Sequence, residues 1–333
     1  MAKKYRKTFA ERNLIIIIIL MWVFLAIVTG GRFSSSLNIT NLVRQAAING
    51  VVAVAMTFII ITGGIDLSVG SVVGLSGMVF ATMTSSNLSI GMSIPLAIVI
   101  SLLASAAVGL VNGIAIHDGK VPPFIATLGM MTAVRGLVMY ISNGRMITGL
   151  PKEFKAFSSA DFLGLPALAW TWIVIAVIAG LVMKYTKFGR NLYAIGSNPE
   201  AARLSGINIR LNMYFFYIVG AVLCGIAGLM LSTRLASGVP TAGQSYELDA
   251  IASVVIGGAS MTGGVGTALG TVLGALIIQT IKNGGNLMGI DPFIMQMVIG
   301  AIIVLAVFFD TFFKSRGRRP KIFGKGKKVN AAQ

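Results

Sequence analysis

The chain has 333 residues, 56% of them hydrophobic and 11% charged, where a soluble domain carries roughly a quarter charged residues. That balance, with a mean hydropathy of +0.86, excludes a soluble globular domain, and the lack of alternating segments of about ten residues argues against a transmembrane β-barrel. The net charge of +17 does not point to nucleic acid, because the basic residues gather beside apolar runs and report topology instead.

Residues 1–13 form a basic arm holding Lys3, Lys4, Arg6, Lys7 and Arg12. The apolar run 14–28 reads as a first span, retained because no A-x-A cleavage pattern follows it. Residues 32–45 are expected to be a polar external segment, and 46–62 a second span that ends at Gly63-Gly64. The stretch GGIDLSVGS, residues 63–71, then runs into a third span that closes near Thr84. Further spans are expected at 94–116, 121–142 and 167–183, with the turn HDGK (117–120) after the first of these. A mixed-charge external segment fills 143–166. Beyond a polar loop come 213–235, a short apolar segment at 248–260, and the glycine-rich break MTGGVGTALG. A span at 268–282, an external turn at 283–291 and a last span at 293–313 complete the chain.

Several of these runs approach the ~20 apolar residues that cross a bilayer as a helix. The expected fold class is therefore an all-α polytopic membrane protein of about ten transmembrane helices with broken helices. Two halves of five spans would be related by inversion, because five is odd. The organisation reads as a first half at 14–183, a polar loop at 184–212, the remaining spans at 213–313 and a basic tail at 314–333. The basic arm, the loop (Lys184, Lys187, Arg190, Arg203, Arg210) and the tail should share the cytoplasmic side. The tail also suits contact with anionic membrane lipid. Asp66 precedes Ser71-Val72-Val73, and Asp249 precedes Ser253-Val254-Val255. Paired interrupted segments of this kind point to a substrate path.

One polar stretch, 186–208, carries its own helix signals. Asn198 suits the N-cap, Pro199 the first helical position, and Glu200 the positive helix start. Ser197 with Glu200 offers an alternative capping box. Ala201, Ala202, Arg203 and Leu204 propagate a helix, and Gly206 is placed to end it. A linker needs no cap at both ends; a short rigid helix is a shape another protein can grip.

No catalytic site is visible. There is no G-x-x-x-x-G-K-[ST] nucleotide loop, no H-E-x-x-H and no His/Cys cluster for zinc, so neither a cofactor nor a metal is expected. Cys224 is alone, and His117 has no second ligand nearby. Energy must come from a partner nucleotidase or from an ion gradient, the latter describing an ion-coupled secondary carrier. An intramembrane carboxylate is costly and faces protein or water. Asp66, with Ser68 and Ser71 close by, is either a substrate or ion contact or a helix cap, the cap being favoured. Asp249 reads the same way with less force. Asn112, Gln279 and Asn283 either join helices or meet a polar, uncharged ligand. Arg135 either snorkels or pairs with a carboxylate.

Glu200-Ala201-Ala202 followed by Gly206 resembles the EAA-x3-G loop of bacterial ABC importer permeases. Residues 63–71 (GGIDLSVGS), 122–129 (PPFIATLG), 188–207 (FGRNLYAIGSNPEAARLSGI), 246–267 and 297–310 resemble the ribose/galactose/xylose-type permease family over nearly the whole chain. The related branched-chain amino-acid permeases usually lack the GGIDLS block. The resemblance implies a permease homodimer, two ATP-binding cassette subunits and an extracytoplasmic sugar-binding protein, in a bacterial inner membrane. It also implies that Arg190, Asn198, Pro199, Glu200, Ala201, Ala202 and Gly206 couple the ATPase to the path.

Overall fold

The computed structural model describes residues 2–88 and 90–317, without the side chains of residues 2–10 and of most residues beyond 308. The charges of the basic arm before residue 11 and the basic tail's side chains lie outside the described part. Thirteen helices and one two-stranded hairpin make up the described chain. Six helices are long and apolar enough to cross a membrane. They are α1 (Ala2–Val28, apolar from Glu11), α2 (Ser36–Ile61), α4 (Ile94–His117), α5 (Pro123–Ser142), α7 (Ala167–Tyr185) and α10 (Ile209–Leu235). α3 (Val69–Thr84) and the 292–308 part of α13 (Pro292–Gly317) are shorter apolar helices. The chain is an all-α polytopic membrane protein.

α2 is the central pillar. From Ala46 to Ile61 every residue is buried, as expected of a helix that is apolar all round. Val52, Met56 and Ile60 of α2 share one core with Val72 and Val73 of α3 and with Cys224 and Ala227 of α10. The same core takes in Val254 of α11 (Tyr246–Ile256) and Ala275 of α12 (Ala268–Leu287). Small residues let these helices approach closely. A side chain at Gly109 of α4 would meet Ile218 Cα of α10 at 2.8 Å, and Gly50 of α2 lies directly against the Trp172 indole of α7.

At a 1.5 Å rise per residue, α3 and α11 span only about 24 Å and 16 Å, short of the ~30 Å hydrocarbon core. Each follows irregular backbone, which is tolerated at membrane depth only when protein or a cavity covers it. The break after α2 is a tight helix end. Gly63 adopts φ +84° and its N–H donates to Ile60 O at 2.9 Å, while Gly64 N–H donates to Ile59 O at 3.1 Å. The break before α12 turns on Gly263 and Gly264, at φ +84° and +74°.

Four sequence expectations change. Residues 36–45 are helical: Ser35 caps α2 by accepting from Asn38 N–H, and the Asn38 side chain finds a partner on another helix. Asn38 exchanges two amide hydrogen bonds with Asn283, at 3.0 and 2.8 Å. For the same reason Asn283 belongs to α12, which continues to Leu287, and not to an external turn. The segment 143–166 folds into α6 (Lys152–Ser159) and the β1 (Asp161–Phe162)–β2 (Leu165–Pro166) hairpin. The polar stretch holds two helices, α8 (Lys187–Ser197) and α9 (Pro199–Leu204). Ser197 closes the first of them, which leaves Asn198 as the cap of the second and removes the capping-box alternative.

Candidate functional site

α9 is bounded by local chemistry at both ends. Asn198 Oδ1 accepts the Ala201 N–H at 3.0 Å. At the other end Gly206 takes φ +80°. Its N–H donates to Arg203 O at 3.0 Å and the Ile207 N–H to Ala202 O at 3.1 Å, the paired bonds of a Schellman stop. Ala202 is buried, whereas Glu200, Arg203 and Leu204 are exposed. Glu200 and Arg203 form a two-pronged ion pair at 2.5 and 3.2 Å. Leu204, 76% exposed, adds an apolar knob that the sequence did not single out.

The Arg203 guanidinium holds the Glu200 carboxyl below its usual value of 4.5. A depressed carboxylate stabilises above its ordinary pKa and loses that contribution as pH falls through the folded value. The clasp should therefore be closed throughout the neutral range and open only well into acid. A carbon-13 pH titration of the Glu200 carboxyl should give a midpoint under 4.5 in the wild type, rising in Arg203→Gln.

α8 ties this helix to the bundle. Thr186 caps it by accepting from Gly189 N–H at 3.2 Å, and Leu192 and Ile195 are buried beneath it. Tyr193 Oη donates to Gly266 O at 2.8 Å. A side chain at Gly196 would strike Ile61 O and meet Gly264 N at 2.7 Å. Gly264 N–H itself donates to Ile61 O at 2.8 Å. The foot of α8 thus touches both glycine breaks, one from each end of the sequence, at one point. Arg190 is exposed on α8. Beside this region Arg210 pairs with Asp118 at 2.9 Å and the Tyr214 hydroxyl donates to the same carboxylate. The Tyr214 hydrogen bond, then Arg210, hold the Asp118 carboxyl low.

Within the bundle the polar residues fall into separate groups. Asp66 Oδ1 accepts from Ser68 N–H at 2.8 Å and from Ser68 Oγ at 2.6 Å, and Asn112 Nδ2 donates to Ser68 Oγ at 3.0 Å. All three side chains are buried. Asp66 therefore serves the turn that leads into α3. Ser71 Oγ donates to Met131 O of α5 at 2.8 Å. Gln279 is buried on α12, its Nε2 without a hydrogen-bond partner among the described residues. Asp249 is paired with Lys282 and accepts from Asn49 Nδ2 at 3.2 Å, joining α11, α12 and α2. Arg135 of α5 pairs with no carboxylate at ion-pair distance. It donates to Pro240 O and Ala242 O, both at 2.8 Å, and to Gly70 O at 3.3 Å, holding α5 against the start of α3 and the approach to α11.

Two cavities adjoin between these groups. One, of about 670 Å³, is bordered by Ser71, Met131, Arg135, Gln244, Glu247 and Gln296. The other, of about 270 Å³, is bordered by Gln45, Asp249, Lys282, Asn286 and Gln296. They share Ser245 and Gln296. Gln45 lies 16 helical residues from Ile61, so the smaller cavity is about 24 Å along the bundle from the α8 foot. Of the intramembrane residues that the sequence singled out, Ser71, Asp249 and Arg135 border these spaces; Gln45, Gln244, Asn286 and Gln296 are brought there by the fold.

Comparisons with known proteins agree over most of the chain. A family model described as branched-chain amino acid transport system / permease component matches residues 38–307. The ribose import permease protein RbsC of Bacillus subtilis (strain 168) is 45% identical over 280 residues, 84% of this chain and 86% of that protein. RbsC of Haemophilus influenzae is 40% identical over 310 residues, 92% of this chain and 94% of the relative. The xylose transport system permease protein XylH of Escherichia coli (strain K12) is 36% identical over 360 residues, covering 90% and 91%. No solved structure matches.

Proposed function

The chain belongs to the sugar-type permease family of ABC importers, a transport component and not an enzyme, and from that premise we propose that it is the membrane-spanning subunit of an ATP-driven importer for a monosaccharide or similar small polyol. Its partners are a separate ATP-binding cassette subunit and an extracytoplasmic sugar-binding protein. The observation that carries this reading is α9: short, capped at both ends, exposed along Glu200, Arg203 and Leu204, and seated through α8 on both glycine breaks. The ATP-hydrolysing subunit grips α9, Arg190 of α8 adds a docking charge, and closure of the nucleotidase pair moves the two breaks together. Such rigid-body switching is how packed bundles convert small displacements into altered access.

The α8–α9 end is cytoplasmic on this reading, as are both termini, in a bacterial inner membrane. Ten spans follow, with α1–α5 in one half and α7 and α10–α13 in the other, inverted. A second copy of the permease pairs along α5 and α13, where Ile125, Leu137, Phe293 and Met297 are exposed, and lipid covers the remaining apolar surface. Ser71 borders the path, while Asp66, Ser68, Asn112, Gln279 and Asn283 hold its walls.

The test is sugar uptake into liposomes holding the permease, its nucleotidase and its binding protein. Glu200→Arg and Gly206→Pro should abolish ATP-dependent uptake of ribose or xylose while insertion and dimer formation persist. Proline cannot take the positive φ of residue 206 or donate its N–H. Uptake that needs no nucleotidase and follows an imposed proton or sodium gradient would overturn the proposal in favour of a secondary carrier.

A further inference from the structure

We infer that the two adjoining cavities form a sugar-hydroxyl subsite read by four side-chain amides, Gln45, Gln244, Asn286 and Gln296. This rests on the importer reading above and deepens it by naming the contact residues. All four border the joined space, and none of their side chains hydrogen-bonds to another group among the described residues. Gln244, Asn286 and Gln296 are exposed on the chain and Gln45 is half-buried, so their amides are open to a solute. Asn38 and Asn283, two amides of the same bundle, satisfy each other, and Asn49 reaches Asp249. The cavity amides instead project donors and acceptors into open space.

Gln296 is the most telling of them. It stands in the sequence Phe293-Ile294-Met295-Gln296-Met297-Val298, the only polar side chain in that run, and polar groups within spans commonly mark a solute pathway. An amide offers both donors and acceptors, and so does each hydroxyl of a sugar. A neutral polyol therefore suits this wall better than an ion. Of the charges nearby, Asp249 is paired with Lys282 and Arg135 donates to three carbonyls, while the Glu247 carboxylate on the border of the larger space is a further acceptor for hydroxyls. The larger space falls within the range of pockets that hold small molecules, about 300–1,000 Å³. It opens at the starts of α3 and α11, the two short helices, where transporters built from repeats bind their solutes.

The experiment uses the full importer in liposomes with labelled ribose or xylose. Gln244→Leu/Gln296→Leu should cut uptake at low sugar about tenfold, since each hydrogen bond lost is worth a few-fold. It should also change the order of preference among competing pentoses and hexoses. Stimulation of ATP hydrolysis by the loaded binding protein should persist. Should the double variant fail to insert, Gln296→Asn and Gln244→Asn, which keep the amide and withdraw it by one methylene, decide the matter through the same change in preference. Wild-type uptake with unaltered rate and sugar preference in the inserted variants would overturn the subsite alone. A wild-type importer that moves no sugar with ATP would instead overturn the reading on which the subsite rests.

Discussion

Lys282→Ala should destabilise the folded permease by about 3 kcal/mol, because it leaves the Asp249 carboxylate buried without its counter-charge. Asp249 is 2% exposed, and beyond Lys282 its carboxylate has the Asn49 amide. The pair lies where α2, α11 and α12 converge, so the loss is felt at a junction of three helices. Asp249→Asn combined with Lys282→Met should recover most of it, since a neutral pair of similar volume removes the unmatched charge. Chemical unfolding in detergent micelles checks both values. A cost below about 1 kcal/mol for Lys282→Ala would mean that the pair behaves as a solvent-screened surface bridge.

Gly196→Val should reduce ATP-driven sugar uptake at least tenfold. The added Cβ would collide with the Ile61 carbonyl oxygen and approach Gly264 N at 2.7 Å. Both obstacles are backbone, which cannot rotate away, and overpacking of this kind typically costs about 1–3 kcal/mol. One tenfold step corresponds to about 1.4 kcal/mol. The substitution pries the α8 foot from the two breaks without touching the exposed face of α9. ATP hydrolysis by the bound nucleotidase should therefore survive while uptake falls. Gly180→Ala is the matched control: on α7 the added carbon would make only an ordinary 3.7 Å contact with Ala268 Cβ, and uptake should not change.

The parts of this architecture that are written locally could be read locally. Asn198, Pro199 and Gly206 mark the ends of α9 because capping joins residues two to five apart. The end of α2 at Gly63-Gly64 and the turn that Asp66 makes on Ser68 are equally short-range. α8 was missed because its polar residues and its two glycines, Gly189 and Gly196, resemble a connector. Its signal was the buried pair Leu192 and Ile195, three residues apart on one face. Residues 36–45 read as a loop because Asn38 finds its partner 245 residues away. Lys282 and Asp249 stand 33 residues apart, and no local pattern joins them. The cavity amides come from four different stretches of sequence, and single amides carry no motif. Gln296 could have been noticed, as one polar side chain in an apolar span.

Gripping of α9 by a partner nucleotidase is open to a direct cross-linking test. Cys224 is buried, so in a Cys224→Ala background a cysteine placed by Leu204→Cys would be the only thiol of the permease. Co-assembled with the ATP-hydrolysing subunit carrying a cysteine in its permease-facing cleft, Leu204→Cys should give a cross-linked pair whose yield changes when ATP is added. Glu153→Cys on α6 should give none. An intact, ATP-driven complex in which Leu204→Cys never reacts with the nucleotidase, whatever cleft position carries the thiol, would mean that α9 is not the docking helix.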